Sequence, residues 1–307
     1  MALSLQPLFL AITFLLMASL IGSSEAVRIS TYWGQDATEG SLKELCTEGT
    51  VRYVKAPVQY VNIAFLRNIG GGRTPELSLR HCNSTTCPLL SSEIELCQSL
   101  GIQVLISLAG APNLSSTAEA YEVASYIWDN FLGGSSSSRP LGEAVLNGVD
   151  YHIHSGKPDY LDDLARALSG YNTPENKQVY LAAGPECLLP DRWLDASIRT
   201  GLFDYVWVEF FDNPTCQYTP DNLIALFQSW NEWASYPGVN ALFLGIPVSP
   251  EVAPDGGYIP YEVLVSVVLP FVETYVNFGG IMLWPYRHHH PHPHYSEKFR
   301  VQSYAAI

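Results

Sequence analysis

The chain has 307 residues, 47% of them hydrophobic, and carries a formal charge of −14 with a pI near 4.9. So acidic a chain lacks the positive footprint that nucleic acid or an anionic membrane surface requires of a partner. Its apolar content and length are enough to bury a sizeable core.

Leu8–Leu20 is almost wholly apolar yet too short for a comfortable bilayer span. Ser24-Glu25-Ala26 follows, with small residues suited to signal peptidase, so residues 1–26 read as a secretory signal and 27–307 as one mature domain. Eight short β-rich runs come next: Arg28–Trp33, Tyr60–Leu66, Val104–Ala109, Gly148–His154, Val179–Ala183, Tyr205–Phe211, Leu242–Val248 and Gly280–Trp284. Helical patterns separate them. Ser92 and Glu95 fit a capping box. Val123, Tyr126 and Ile127 share a face in a segment stopped by Gly133-Gly134. Leu161, Leu164, Ala165 and Leu168 repeat at helical spacing, as do Leu223, Leu226, Phe227 and Trp230, with Thr219 as cap and Pro220 in the first turn. Eight strands alternating with helices predict a single-domain (β/α)₈ barrel of the α/β class. A doubly wound sheet would announce itself with a glycine-rich phosphate loop. Gly70-Gly71-Gly72 follows a strand but opens no helix.

Six cysteines, at 46, 82, 87, 97, 187 and 216, behind a secretory signal favour three disulfides, with the connectivity open. Cys82 and Cys87 are near enough to close a local loop. Asn83-Ser84-Thr85 and Asn113-Leu114-Ser115 are glycosylation sequons; the proline of Asn213-Pro214-Thr215 excludes a third.

Several stretches together resemble one family. They are Tyr32-Trp33-Gly34-Gln35, Tyr60-Val61-Asn62-Ile63-Ala64-Phe65-Leu66, Asn130-Phe131-Leu132-Gly133-Gly134 and Ser138-Arg139-Pro140-Leu141-Gly142. Asp162-Asp163-Leu164-Ala165-Arg166, Gly201-Leu202-Phe203-Asp204-Tyr205-Val206-Trp207-Val208 and Gly280-Ile281-Met282-Leu283-Trp284 complete the set. They are similar to glycoside hydrolase family 18, in its plant class III chitinase (hevamine-type) branch, nearly end to end through the mature chain. The resemblance implies a barrel and the disulfides Cys46–Cys97, Cys82–Cys87 and Cys187–Cys216. The segment Thr47 to Gln59 is longer than usual for the family, and the tail after Trp284 departs from it.

In that family the substrate's own acetamido group is the nucleophile, so the enzyme must supply an acid for the leaving oxygen and an aspartate to orient the acetamido group. The resemblance places them on the fourth strand, in the pattern Asp-x-x-Asp-x-Asp-x-Glu. Here that stretch reads Asn147-Gly148-Val149-Asp150-Tyr151-His152-Ile153-His154. Only the second aspartate persists, as Asp150. His152 replaces the orienting aspartate and His154 the acid glutamate. Phe211 stands where the family has a tyrosine that bonds the acetamido group, and Ala109 adds a methyl to the third-strand Ser-x-Gly-Gly signature. Losing one general acid typically costs about 10²–10⁴-fold, and three losses here fall on one step.

Residues two apart on a strand share a face, so Asp150, His152 and His154 should all point into the barrel mouth, with Glu209 (usually glutamine in the family) pointing in from the sixth strand. Those four could hold a metal, or the histidines could simply pair with the two acids inside a retired active site. The tract Arg287-His288-His289-His290-Pro291-His292-Pro293-His294 reads either as a loose divalent-metal binder or as a solvated, proline-broken loop. Tyr32, Gln35, Phe65 and Trp284 match the family's sugar-contacting positions, Trp284 as the floor on which a ring stacks.

The expected function is a secreted, apoplastic or vacuolar, monomeric chitinase-like protein without hydrolytic activity. It would bind a chitin-like oligosaccharide or a microbial glycosidase in plant defence, as the lectin-like and xylanase-inhibitor members of the family do; storage is a further role of inactive members. One alternative is an active acidic endochitinase cleaving β-1,4-linked N-acetylglucosamine polymers, needing no cofactor. The other is a metal-binding protein.

Overall fold

The computed structural model describes residues 27–47, 58–174 and 178–285. The expected signal at 1–26, most of the long segment between Thr47 and Gln59, and the histidine tract at 288–294 lie outside the described residues.

Nine strands are present among them: β1 Ile29–Trp33, β2 Val58–Arg67, β3 Glu76–Leu77, β4 Gln103–Leu108, β5 Gly148–Tyr151, β6 Tyr180–Ala183, β7 Tyr205–Glu209, β8 Leu242–Pro247 and β9 Phe278–Trp284. Eight pair in parallel, and β1 bonds both β2 and β9, which closes the sheet into the expected barrel. The ninth, β3, is a two-residue antiparallel addition to the end of β2. It is too short to leave an alternating pattern in the sequence. Helices α1 Leu42–Thr47, α2 Ser91–Ser99, α3 Thr117–Phe131, α4 Leu161–Ser169, α5 Asp195–Ile198 and α6 Ile224–Ala234 pack outside. Before β9, Tyr261–Val263 and Leu269–Val272 flank a π-helical stretch, Leu264–Val268.

Alternation along the strands divides the core in two. Ile29, Val61, Ile63, Val104, Ile106, Val149, Leu181, Val206, Val208, Leu244 and Ile281 face the helices. The residues between them fill the barrel: Tyr32, Tyr60, Leu105, Ala182, Trp207, Phe243 and Met282, with the buried polar groups Ser30, Asn62, Ser107, Asp150 and Glu209. The three disulfides are Cys46–Cys97, joining α1 to α2, Cys82–Cys87 and Cys187–Cys216, as the resemblance implied.

Local expectations differ at three points. The run predicted as Gly148–His154 is laddered only to Tyr151, where β4 and β6 end alongside it, and that at Tyr205–Phe211 only to Glu209, the last residue to pair with β8. The backbone stays extended beyond, with the His152 amide still donating to the Leu108 carbonyl at 2.9 Å. Ser92 does not cap α2. The helix already runs from Ser91 out of the 3₁₀ turn Cys87–Leu90, so Ser92 lies inside it and bonds the Leu89 carbonyl. Nor does Thr219 cap α6. Thr219 and Asn222 close a turn on each other, Asn222 Oδ1 accepts from the amides of Ile224 and Ala225, and the helix starts there.

The reciprocal cap is instead on α3. Ser116 Oγ accepts from the Glu119 amide at 3.2 Å, while Glu119 accepts from the amide and hydroxyl of Ser115 at 2.7 and 2.6 Å. Glu119 also accepts from the Gly72 amide at 2.8 Å, tying α3 to the turn after β2. The Ser115 hydroxyl, with these amides, holds the Glu119 carboxyl down at about 2 against an ordinary 4.5. A depressed carboxylate stabilises the fold above its ordinary pKa, and that stabilisation is lost as pH falls through the depressed one. Glu119→Gln should therefore lower the melting temperature by roughly 1–3 °C at neutral pH. In circular dichroism melts at stepped pH, the gap from the unsubstituted chain should close below about pH 4.5.

Candidate functional site

At the carboxyl ends of the barrel strands, β5 carries Asp150 at its ladder and His152 and His154 just beyond it, while β7 carries Trp207 and Glu209. Asp150 is fully buried. It accepts from Ser107 Oγ at 2.5 Å and Trp207 Nε1 at 2.9 Å, and the Tyr32 hydroxyl bonds it as well. Trp207 Nε1 is shared, donating also to the Tyr32 oxygen at 2.9 Å. Burial pushes the Asp150 carboxyl up to about 7 despite these three donors.

Above this layer lies a second one. His152 Nε2 is 2.9 Å from Glu209 Oε1, and His154 Nδ1 is 3.8 Å from Glu209 Oε2. The other His154 nitrogen, Nε2, donates to the Gly184 carbonyl at 2.8 Å. Gly184 leaves room for this arrangement: a Cβ there would sit 2.9 Å from the Tyr32 hydroxyl and force it to shift. Burial lowers His152 to about 4 and raises Glu209 to about 7. His154 pulls Glu209 the other way, and the acids Glu186, Asp212 and Asp191 add to the upward push. Both partners of the 2.9 Å contact thus favour their neutral forms, and a single proton between them suffices for the hydrogen bond.

The His152 ring is set among aromatic side chains. It stacks on Trp284 with centroids 4.9 Å apart and planes 12° apart, and on Phe65 at 5.2 Å and 29°. Tyr32 meets it edge-on at 5.0 Å. The face of Trp284 turned to the site is therefore already covered by an imidazole.

The sequence-derived residues are brought together unevenly. Tyr32, Phe65, Asp150, His152, His154, Glu209 and Trp284 converge, and Ala109 and Phe211 are buried in the same aromatic cluster. Asp150 does not join the histidines as a metal ligand: both its oxygens are engaged below them, so the expected four-residue set contracts to His152, His154 and Glu209. Asn147 sits at the other end of β5, where its Oδ1 accepts from the Val104 amide and from Gln98. Gln35 spends its amide hydrogens on the Ala64 and Ser78 carbonyls, at 2.6 and 2.9 Å, and so ties β1 to the β2–β3 hairpin. A groove of about 700 Å³ opens elsewhere, between Arg67, Glu76, Asn83 and Arg139, and none of the histidines lines it.

Sequence reasoning gave no role to Trp207, which lies in a stretch carrying the resemblance, or to Ser107, which opens the third-strand signature, and it did not single out Gly184 or Asp191. The signal for Trp207 was its place midway between Tyr205 and Glu209, two residues from each. Ser107 likewise alternates with Leu105 and Ala109. Asp191 had no such signal: it caps the turn that carries Trp193 through the amides of Glu186, Trp193 and Leu194, and acts on His154 through space.

Trp207→Phe keeps an aromatic ring, though a smaller one, and removes a donor from a buried carboxyl and a buried hydroxyl. It should cost about 1–3 kcal/mol in denaturant unfolding and lower the melting temperature by several degrees, whereas Phe243→Leu, which packs on the same indole without bonding it, should leave the acid range of the pH profile unaltered.

No family model matches the chain. An acidic endochitinase of Cicer arietinum is 48% identical over 278 residues, 89% of this chain and 91% of the relative. The ICChI chitinase of Ipomoea carnea superposes with a TM-score of 0.78 at 43% identity, covering 88% of this chain and 96% of that one. The xylanase and alpha-amylase inhibitor protein XAIP-II of Scadoxus multiflorus does so at 0.76 and 37% identity, covering 85% and 93%. A tamarind chitinase-like lectin gives 0.71 at 32% identity, covering 85% and 94%. With relatives this similar over most of both chains, and with the closed barrel and its disulfides in place, the chain belongs to the plant class III chitinase branch of glycoside hydrolase family 18.

Proposed function

We propose that the protein is a secreted, chitinase-like binding protein of plant defence that does not hydrolyse chitin. The observation that carries this reading is the imidazole of His152 bonded to Glu209 and stacked on Trp284, at a position where the family's chemistry calls for a carboxylate facing a sugar. Hydrolysis needs a proton donor aimed at the glycosidic oxygen. At the acid position, the outward-facing role is taken by His154, whose Nε2–H is already donated to a backbone carbonyl. Phe211 offers no hydroxyl to a reacting acetamido group. The buried carboxyl that persists, Asp150, is bonded by Ser107, Trp207 and Tyr32.

Structural relatives described as a xylanase and alpha-amylase inhibitor and as a chitinase-like lectin support a partner that is a glycosidase or an oligosaccharide. Among the described residues no helix is long and apolar enough to cross a membrane, which agrees with a secreted protein. A second reading, an active endochitinase, is favoured by the name of the Cicer arietinum relative.

Hydrolysis of N-acetylglucosamine oligomers separates the two. The unsubstituted mature protein should show no turnover, at least about 10²–10⁴-fold below the triple substitution His152→Asp, His154→Glu, Phe211→Tyr. Cleavage by the unsubstituted protein overturns the proposal. If neither protein cleaves, the groove has changed beyond the three side chains, and inhibition of a panel of fungal xylanases becomes the assay of choice.

A further inference from the structure

His152, His154 and Glu209 present three donor atoms, all within 4.8 Å of one another, at the open end of the barrel. Tetrahedral zinc with bonds of 2.0–2.2 Å sets its ligands about 3.3–3.5 Å apart. The contacts here, 2.9 Å from His152 Nε2 to Glu209 and 3.8 Å from His154 Nδ1 to Glu209, straddle that spacing, and all three separations lie within 4.8 Å, so side-chain rotation has to draw the donors together by little more than an ångström. We propose that these three residues form a binding site for a divalent zinc-class cation.

Four features of the surroundings support it. The His154 tautomer is set by a second partner: with Nε2–H donated to the Gly184 carbonyl, a neutral ring leaves Nδ1 unprotonated and facing Glu209. The His152 ring is held by its stacking on Trp284 and Phe65, so its orientation does not have to be assembled on binding. The field is acidic, with Glu186, Asp191 and Asp212 all near enough to act on Glu209. There is a way in, since the His154 side chain is 25% exposed while the Glu209 side chain is 8% exposed.

Two imidazoles and a carboxylate suit zinc, copper or nickel over calcium or magnesium, which favour oxygen-only shells. The proton held between His152 and Glu209 leaves to solvent as the ion enters, and three protein ligands leave a coordination position for water or a ligand oxygen. The site stands on geometry alone and holds whether or not the chain cleaves chitin.

The test must silence the histidine tract near the carboxyl end, which can bind metal by itself. The parent for the experiment is therefore the mature chain with His288→Ser, His289→Ser, His290→Ser, His292→Ser and His294→Ser. After chelator treatment, titration calorimetry with zinc chloride should give one ion per chain at micromolar affinity or tighter, and zinc should raise the melting temperature of this parent. Adding His154→Gln, the more exposed ligand, should weaken binding by at least about 10-fold. Should that variant fail to fold by circular dichroism, Glu209→Gln, which keeps the hydrogen-bonding shape, takes its place with the same expectation. No heat and no thermal shift in the parent, or unchanged zinc affinity in a folded His154→Gln or Glu209→Gln chain, overturns the proposal.

Discussion

Closing the sheet through β1 forces every second residue of eight strands into one narrow volume. That constraint governs the rest. It requires the inward positions to be apolar or mutually bonded, because water cannot satisfy polar atoms there. Asp150 is the sharpest instance. A carboxyl in the centre of the barrel is retained with Ser107, Trp207 and Tyr32 all turned toward it. Removing any of them would take a donor from a buried carboxyl. The side chains one layer higher reach the open end, and it is there that the proposed departure from hydrolytic chemistry lies.

The departure is itself well packed. Histidines at 152 and 154 are not loose replacements: one is bonded to Glu209 and set on aromatic rings, the other is bonded to the backbone of the neighbouring strand. Glu209, where the family usually has glutamine, completes the arrangement. A carboxyl between two imidazoles is coherent as a unit, with Glu209 2.9 Å from His152 and 3.8 Å from His154.

The barrel was legible because its signals are long and repeated. Eight β-rich runs with helical patterns between them leave few topologies. Inward and outward faces followed from alternation, so the convergence of Asp150, His152, His154 and Glu209 could be anticipated from spacing. Two kinds of information were not readable. Caps depend on where the chain turns: Asn222 rather than the nearby Thr219 meets the first amides of α6, and α2 has no side-chain cap at all because a 3₁₀ turn runs straight into it. Depth was the other. Period two says that Asp150 and His152 share a face, but only the rise along the strand and the neighbours on β4 and β7 decide that one bonds Trp207 and the other Glu209. Gln35 shows the same limit: its type suits a sugar contact, yet its amide holds the β2–β3 hairpin in place.

The stacking of His152 on Trp284 has a thermodynamic consequence for any ligand that would lie on that indole. The imidazole is a tethered competitor, present at an effective concentration fixed by a strand end and independent of the solution. A sugar ring can take the face only in the fraction of molecules whose imidazole has swung clear, and its apparent affinity is diluted by that fraction. Whatever holds His152 more firmly against Glu209 would shut the tryptophan further, and whatever draws it off would open it. Occupancy of the indole is thereby coupled to the state of a carboxyl bonded to the edge of that imidazole.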